Sequence, residues 1–123
     1  MLTIAAVLCF LIGAIHSVLG ERYILVRLFR RDNIPHLFGS DFFTKRTLRF
    51  AWHITTIACW GFAYLLWMIG QNPDNLAKIV LLTIAVVFFI SGVFSFGFTR
   101  GRHLSWIVFW TITALVYSAA KVI

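Results

Sequence analysis

Charge is scarce in this chain and acid scarcer still: 12% of the 123 residues are charged, and only four are Asp or Glu. No apolar stretch carries a mid-stretch carboxylate or a Gly/Pro break of the kind that builds ion sites in transporters, which weighs against an ion-coupled carrier. Cysteine is equally rare. Cys9 and Cys59 belong to no CxxC or Cys/His finger pattern, so a structural zinc module is excluded. They read as small buried hydrophobes at similar depth, with a disulfide between the first two helices as the alternative. There is no HExxH, no CxxCH and no Gly-rich phosphate loop, and so no signature of a zinc protease, a c-type haem or a nucleotide site. Low-complexity segments and internal repeats are missing too. The N-terminal stretch lacks a basic start, and "GAIHSVLGER" is a poor cleavage site, so it reads as a retained span rather than a signal peptide.

What is there is apolar surface, at 61% of residues. A soluble domain of this length leaves too much surface exposed to hide it. Four runs, about 2–20, 50–70, 78–98 and 104–122, have the length of membrane-crossing helices, and none alternates as a barrel strand would. Helices satisfy their own backbone polar groups in lipid. The expected fold is an all-α integral membrane protein: one transmembrane domain over residues 1–123, an antiparallel four-helix bundle with a basic loop over 21–49.

The net charge of +7 resembles a nucleic-acid signal until it is placed along the chain. Arg22, Arg27, Arg30, Arg31, Lys45, Arg46 and Arg49 fall in the first loop and Arg100 and Arg102 in the third, against Lys78 and Lys121 on the other side. That asymmetry predicts both termini periplasmic and both basic loops cytoplasmic, in contact with anionic lipid headgroups. Nucleic acid is not an expected partner.

"ERYILVRLFRRDN" places its arginines on one half of a helical wheel and Ile24, Leu25, Leu28 and Phe29 on the other. This basic amphipathic segment either lies at the headgroup boundary or continues the first span. Pro35 ends it, and Ser40 or Asp41 suits the start of the next helix, with Lys45 and Arg49 behind Asp41 at four-residue spacing. "GQNPDN" and "TRGRH" read as the remaining two turns. Small-residue pairs, Gly13 and Ser17, Ser91 and Ser95, Ala114 and Ser118, mark close helix contacts within the chain or in a homodimer.

The topology brings His16, His53 and His103 to one level with Glu21, at the cytoplasmic end. His16 and His53 lie roughly 6–8 Å inside the boundary charges, at 1.5 Å of rise per residue. Trp60 shares the His53 face, and Trp106 and Trp110 share that of His103, while Gly13 and Gly20 leave space beside His16. Facing imidazoles suit axial ligation of haem b or, with a carboxylate, a transition metal. In that reading His16 and His53 are primary ligands, Glu21 and His103 secondary, Trp60 a wall and Arg49 a propionate partner. A quinone headgroup uses the same imidazoles as hydrogen-bond donors and proton relays. The plainer reading is structural: His36 and His103 solvated, and Glu21 fastened to Arg22, Arg46 or Arg49.

"HSVLGERYILVRLFRR" followed by "FGSDFFTKRTLRFAWHITTIACWGFA" resembles a group of small, uncharacterised bacterial four-helix inner-membrane proteins. The shared pattern rests on His16, Ser17, Gly20, Glu21, Arg49, Trp52 and His53 and covers roughly residues 12–65. The resemblance implies a bacterial inner-membrane location and carries neither mechanism nor cofactor.

Three functions follow from these residues. The leading one is a redox-type protein holding haem, a metal or a quinone at the His/Glu cluster. The others are a small dimeric transporter or channel gated by the same residues, and a non-catalytic subunit of a larger membrane complex.

Overall fold

The computed structural model describes every residue from Met1 to Ile123 and contains four long helices. Helix α1 covers Leu2–Leu28, α2 Phe42–Gln71, α3 Leu76–Thr99 and α4 Ser105–Val122. All four are long and apolar enough to cross a membrane. Only 16 of 123 residues are buried, and large apolar side chains are exposed along all four helices.

Two helices are longer than the apolar runs that announce them. The amphipathic basic segment continues α1 without a break, through a π-helical stretch, Gly20–Leu25, into a last α-turn, Val26–Leu28. Helix α2 begins at Phe42, eight residues before its apolar run, because the polar residues ahead of Phe50 propagate a helix that lipid burial does not require. The Ser40 hydroxyl accepts the Phe42 N–H at 3.3 Å and closes this end, while Asp41 pairs with Lys45 one turn on. The hydrogen bond from Lys45 holds the exposed Asp41 carboxyl below the usual carboxylate range, so this small contribution is lost as acid protonates Asp41. Pro35 lies in the intervening loop, its carbonyl accepting the Thr44 hydroxyl at 2.7 Å. Helix α2 ends on Asn72 in the left-handed conformation, beyond the expected Gly70, and α3 ends on Arg100 in the same conformation.

The helices pack in chain order only: α1 on α2, α2 on α3, α3 on α4. No Cα of α1 comes within 8 Å of one in α4, so the ring is not closed. Glycine and tryptophan make the tightest seams. A Cβ on Gly20 would stand 2.0 Å from the indole nitrogen of Trp52, and one on Gly92 would stand 2.4 Å from that of Trp110. Each indole lies in the notch and donates to a carbonyl across the seam, Trp52 to His16 at 3.1 Å and Trp110 to Phe89 at 3.3 Å. Trp60 does likewise to Phe10, at 3.2 Å, beside Gly13. Where lipid removes the hydrophobic drive between helices, close backbone approach and such interhelical bonds take its place. Gly13, Ser17, Ser91 and Ser95 are used inside the chain, whereas Ala114 and Ser118 stay exposed. The cysteines are free thiols, the Cys9 S–H donating to the Cys59 carbonyl at 3.1 Å.

Candidate functional site

Four residues separate Ser17 from Glu21 on α1, and four separate Arg49 from His53 on α2. Each pair therefore shares a helix face. The two faces meet, and the four side chains form one chain of hydrogen bonds. Arg49 grips Glu21 through two contacts, Nη2 to Oε1 at 2.8 Å and Nε to Oε2 at 3.2 Å. His53 Nε2 reaches Glu21 Oε2 at 3.1 Å, and Nδ1 meets the Ser17 hydroxyl.

The tautomer follows from the partners. With Glu21 ionised and the imidazole neutral, Nε2 carries the proton and donates it to Glu21, because an ionised carboxylate only accepts. Nδ1 is then an acceptor and takes the Ser17 O–H. The path runs from Ser17, a turn inside the helix, to a carboxylate whose side chain is 34% exposed. Arg49 fixes that carboxylate in place by its planar fork, and its guanidinium also lies over the Phe29 ring at 5.0 Å.

Immediately beside this chain, His16 stacks on Trp52 with ring centroids 4.6 Å apart and planes within 5°. Its Nε2 is buried and has no partner. A buried polar atom without a bond is costly and calls for a physical account. The adjoining π-helical stretch is a form found mostly as single turns and often at functional sites.

The remaining expected site residues lie elsewhere. His103 is at the same end of the molecule, in the α3–α4 turn, with Nδ1 2.8 Å from the Ser105 hydroxyl and its ring against Phe43 and Phe50. Ser105 in turn meets the fully buried Ser95 at 2.7 Å, making a local fastening of that turn. Trp60 stacks on Phe10, two turns along α2 from His53. No group of three His, Cys, Asp or Glu side chains is gathered in a way that could hold a metal ion. Trp52, which organises the His16 side, was not among the expected site residues. Its signal was its place beside His53, opposite a glycine.

Compared with known proteins, the chain matches no family model, no curated protein and no solved structure.

Proposed function

We propose that this is a multi-pass protein of the bacterial inner membrane whose Ser17–His53–Glu21 chain takes up a proton from a hydroxyl of a bound, reduced quinone-type headgroup, in a redox role in which a separate electron-carrier protein removes the electrons. Four antiparallel spans carry it, with both termini periplasmic and the basic turns facing anionic headgroups in the cytoplasm. Support for the antiparallel order comes from contacts that descend α1 as they climb α2: Glu21 with Arg49, Ser17 with His53, Gly13 with Thr56, Phe10 with Trp60. The orientation is supported by nine basic residues against two. Reporter fusions are expected to read cytoplasmic at residue 34 and periplasmic at residue 74 and at the C-terminus. A cytoplasmic C-terminus overturns the topology.

The observation that carries the site reading is the two-sided engagement of His53. A hydroxyl group resting on Ser17 gives it a proton as the Ser17 proton passes to Nδ1 and the Nε2 proton passes to Glu21. One proton enters, one arrives at the carboxylate, and Arg49 holds the acceptor in place throughout. The His16 ring, whose Nε2 is enclosed and without a partner while stacked on Trp52, supplies the second contact to the same headgroup only after it turns outward, leaving Trp52 as an aromatic wall. Haem or a metal ion would require His53 to release Ser17 or Glu21, whereas a proton relay uses both bonds as they stand.

The test is tryptophan fluorescence of the protein in lipid nanodiscs, titrated with decylubiquinone and its reduced form. Saturable quenching is expected. Ser17→Ala, His53→Ala and His16→Ala each weaken it by roughly tenfold, the equivalent of one lost hydrogen bond, and His36→Ala leaves it unchanged. Absence of saturable quenching in the wild type overturns the reading.

A further inference from the structure

Three guanidinium groups crowd a single ring at the basic end. The Cζ atoms of Arg46, Arg100 and Arg102 lie 5.4, 5.3 and 5.5 Å from the centroid of Phe42. Arg46 comes from the first turns of α2, and the other two from the α3–α4 turn. No two of them can be further apart than the sum of their distances to that ring, so three positive charges share one small volume.

Nothing in the chain neutralises them. Glu21 is taken by Arg49 and His53, and Asp41 by Lys45. The two other acids, Asp32 and Asp74, make no ion pair. Attraction to the face of Phe42 is weak for an exposed cation and does not remove the mutual repulsion.

The backbone adds an independent sign. Arg100 has φ of 53°, and Gly101 follows at 74°. The left-handed conformation after a helix end is ordinarily filled by glycine, because a Cβ is disfavoured there. Here the first of the two positions carries an arginine, although the next residue is a glycine. Strain of this kind persists where the surroundings over-determine it, and it clusters at binding sites. The same turn carries both Arg100 and Arg102, which reach the ring that Arg46 reaches from α2.

We propose that Arg46, Arg100 and Arg102 form a phosphate-binding site on the Phe42 platform. A phosphate offers several anionic oxygens to planar guanidinium forks and supplies the charge that the cluster lacks. The same chemistry is present in an anionic phospholipid headgroup and in free phosphate. The site lies at the end of the helices, where the membrane reading places headgroups, but its chemistry does not depend on that reading or on the His53 relay.

The full-length protein in mild detergent is examined by native mass spectrometry and thermal melting. Phosphatidylglycerol, phosphatidylcholine and inorganic phosphate are added separately, and then phosphate in competition with phosphatidylglycerol. Retention of phosphatidylglycerol over phosphatidylcholine, undisturbed by free phosphate, supports the site with a lipid occupant. Binding of inorganic phosphate with displacement of the lipid supports it with a soluble one. The triple variant Arg46→Gln, Arg100→Gln, Arg102→Gln is expected to lose affinity by about tenfold or more for each charged contact removed. The charge-matched variant Arg27→Gln, Arg30→Gln, Arg31→Gln is expected to keep its affinity within about threefold if its phosphate contacts are only diffuse ones. Equal losses in the two variants, or no binding of either ligand by the wild type, overturn the proposal. Arg100→Gly separates binding from folding: it relieves the strained φ, and so is expected to melt higher without ligand while binding phosphate more weakly. If Arg100→Gly binds as well as the wild type, the assignment is overturned.

Discussion

Leucine at position 20 is expected to unseat Trp52 and break the α1–α2 seam at the candidate site. The added Cβ alone would fall 2.0 Å from the indole nitrogen and 2.3 Å from Cε2, inside any permitted contact. The indole is a rigid plate held on one side by the His16 ring and at its edge by the His16 carbonyl. It cannot yield by a small rotation. Overpacking costs about 1–3 kcal/mol and sometimes more, and the lost indole bond adds about 1 kcal/mol. Thermal melting in detergent, followed by tryptophan emission, measures the loss. Two comparisons make the result specific. Gly97→Ala, where a Cβ meets nothing within 4 Å, is expected to be neutral or to stabilise by about 0.5–1 kcal/mol through helix propensity. Gly20→Leu combined with Trp52→Ala is expected to be less damaged than the sum of the two single changes. Strict additivity would show that the notch is not what holds Trp52.

The second large effect is expected at Glu21. Alanine there strips the acceptor from Arg49 and His53 together, leaving two donors without a partner at a partly enclosed position. Charge-assisted bonds are worth about 1.5–3 kcal/mol each when well enclosed, and exposure of 24–34% on the Arg49–Glu21 side chains reduces that. A total loss of about 2–3 kcal/mol is expected from denaturant titration in mixed micelles. Glu21→Gln, which keeps the shape and loses the charge, is expected to cost less than half as much. In a double-mutant cycle of Glu21→Ala with Arg49→Ala, a coupling of about 1 kcal/mol or more is expected. Independent effects would mean that the bidentate pair contributes nothing. In histidine-labelled protein, Glu21→Gln is also expected to shift the His53 Nε2 resonance and leave that of His103 unchanged.

Much of this site was legible in the residues. Ser17 and Glu21 on one face and Arg49 and His53 on the other are both four-residue spacings, and two helices entering the same boundary bring such faces together. The lengths of the apolar runs also gave the four helices, and the Gly-, Asn- and Pro-bearing stretches their turns. Rotation about each helix axis was not legible. Hydropathy fixes depth but says little about azimuth when every face is apolar, and so the spacing could not tell that His16 turns to Trp52 while Ser17 turns to His53. Trp60 does share the face it has in common with His53 by count, since both turn to α1, but its partner there is Phe10, two turns from the His53 contacts. The π-helical stretch escaped as well, because a widened turn has no composition of its own. The convergence at Phe42 depends on the conformation of one residue, Arg100, whose sign of φ cannot be read from an arginine.

Packing in chain order has a mechanical consequence. Each of the outer helices, α1 and α4, is held along one seam, and free energy passes from end to end only through α2 and α3. Such a stack behaves as a one-dimensional array, in which stability is a sum of neighbour terms and either end can detach without disturbing the far side. Pulled by its C-terminus, the molecule would unzip from α4 inward in discrete steps. The α1–α2 pair would keep its histidines in place after α4 had gone.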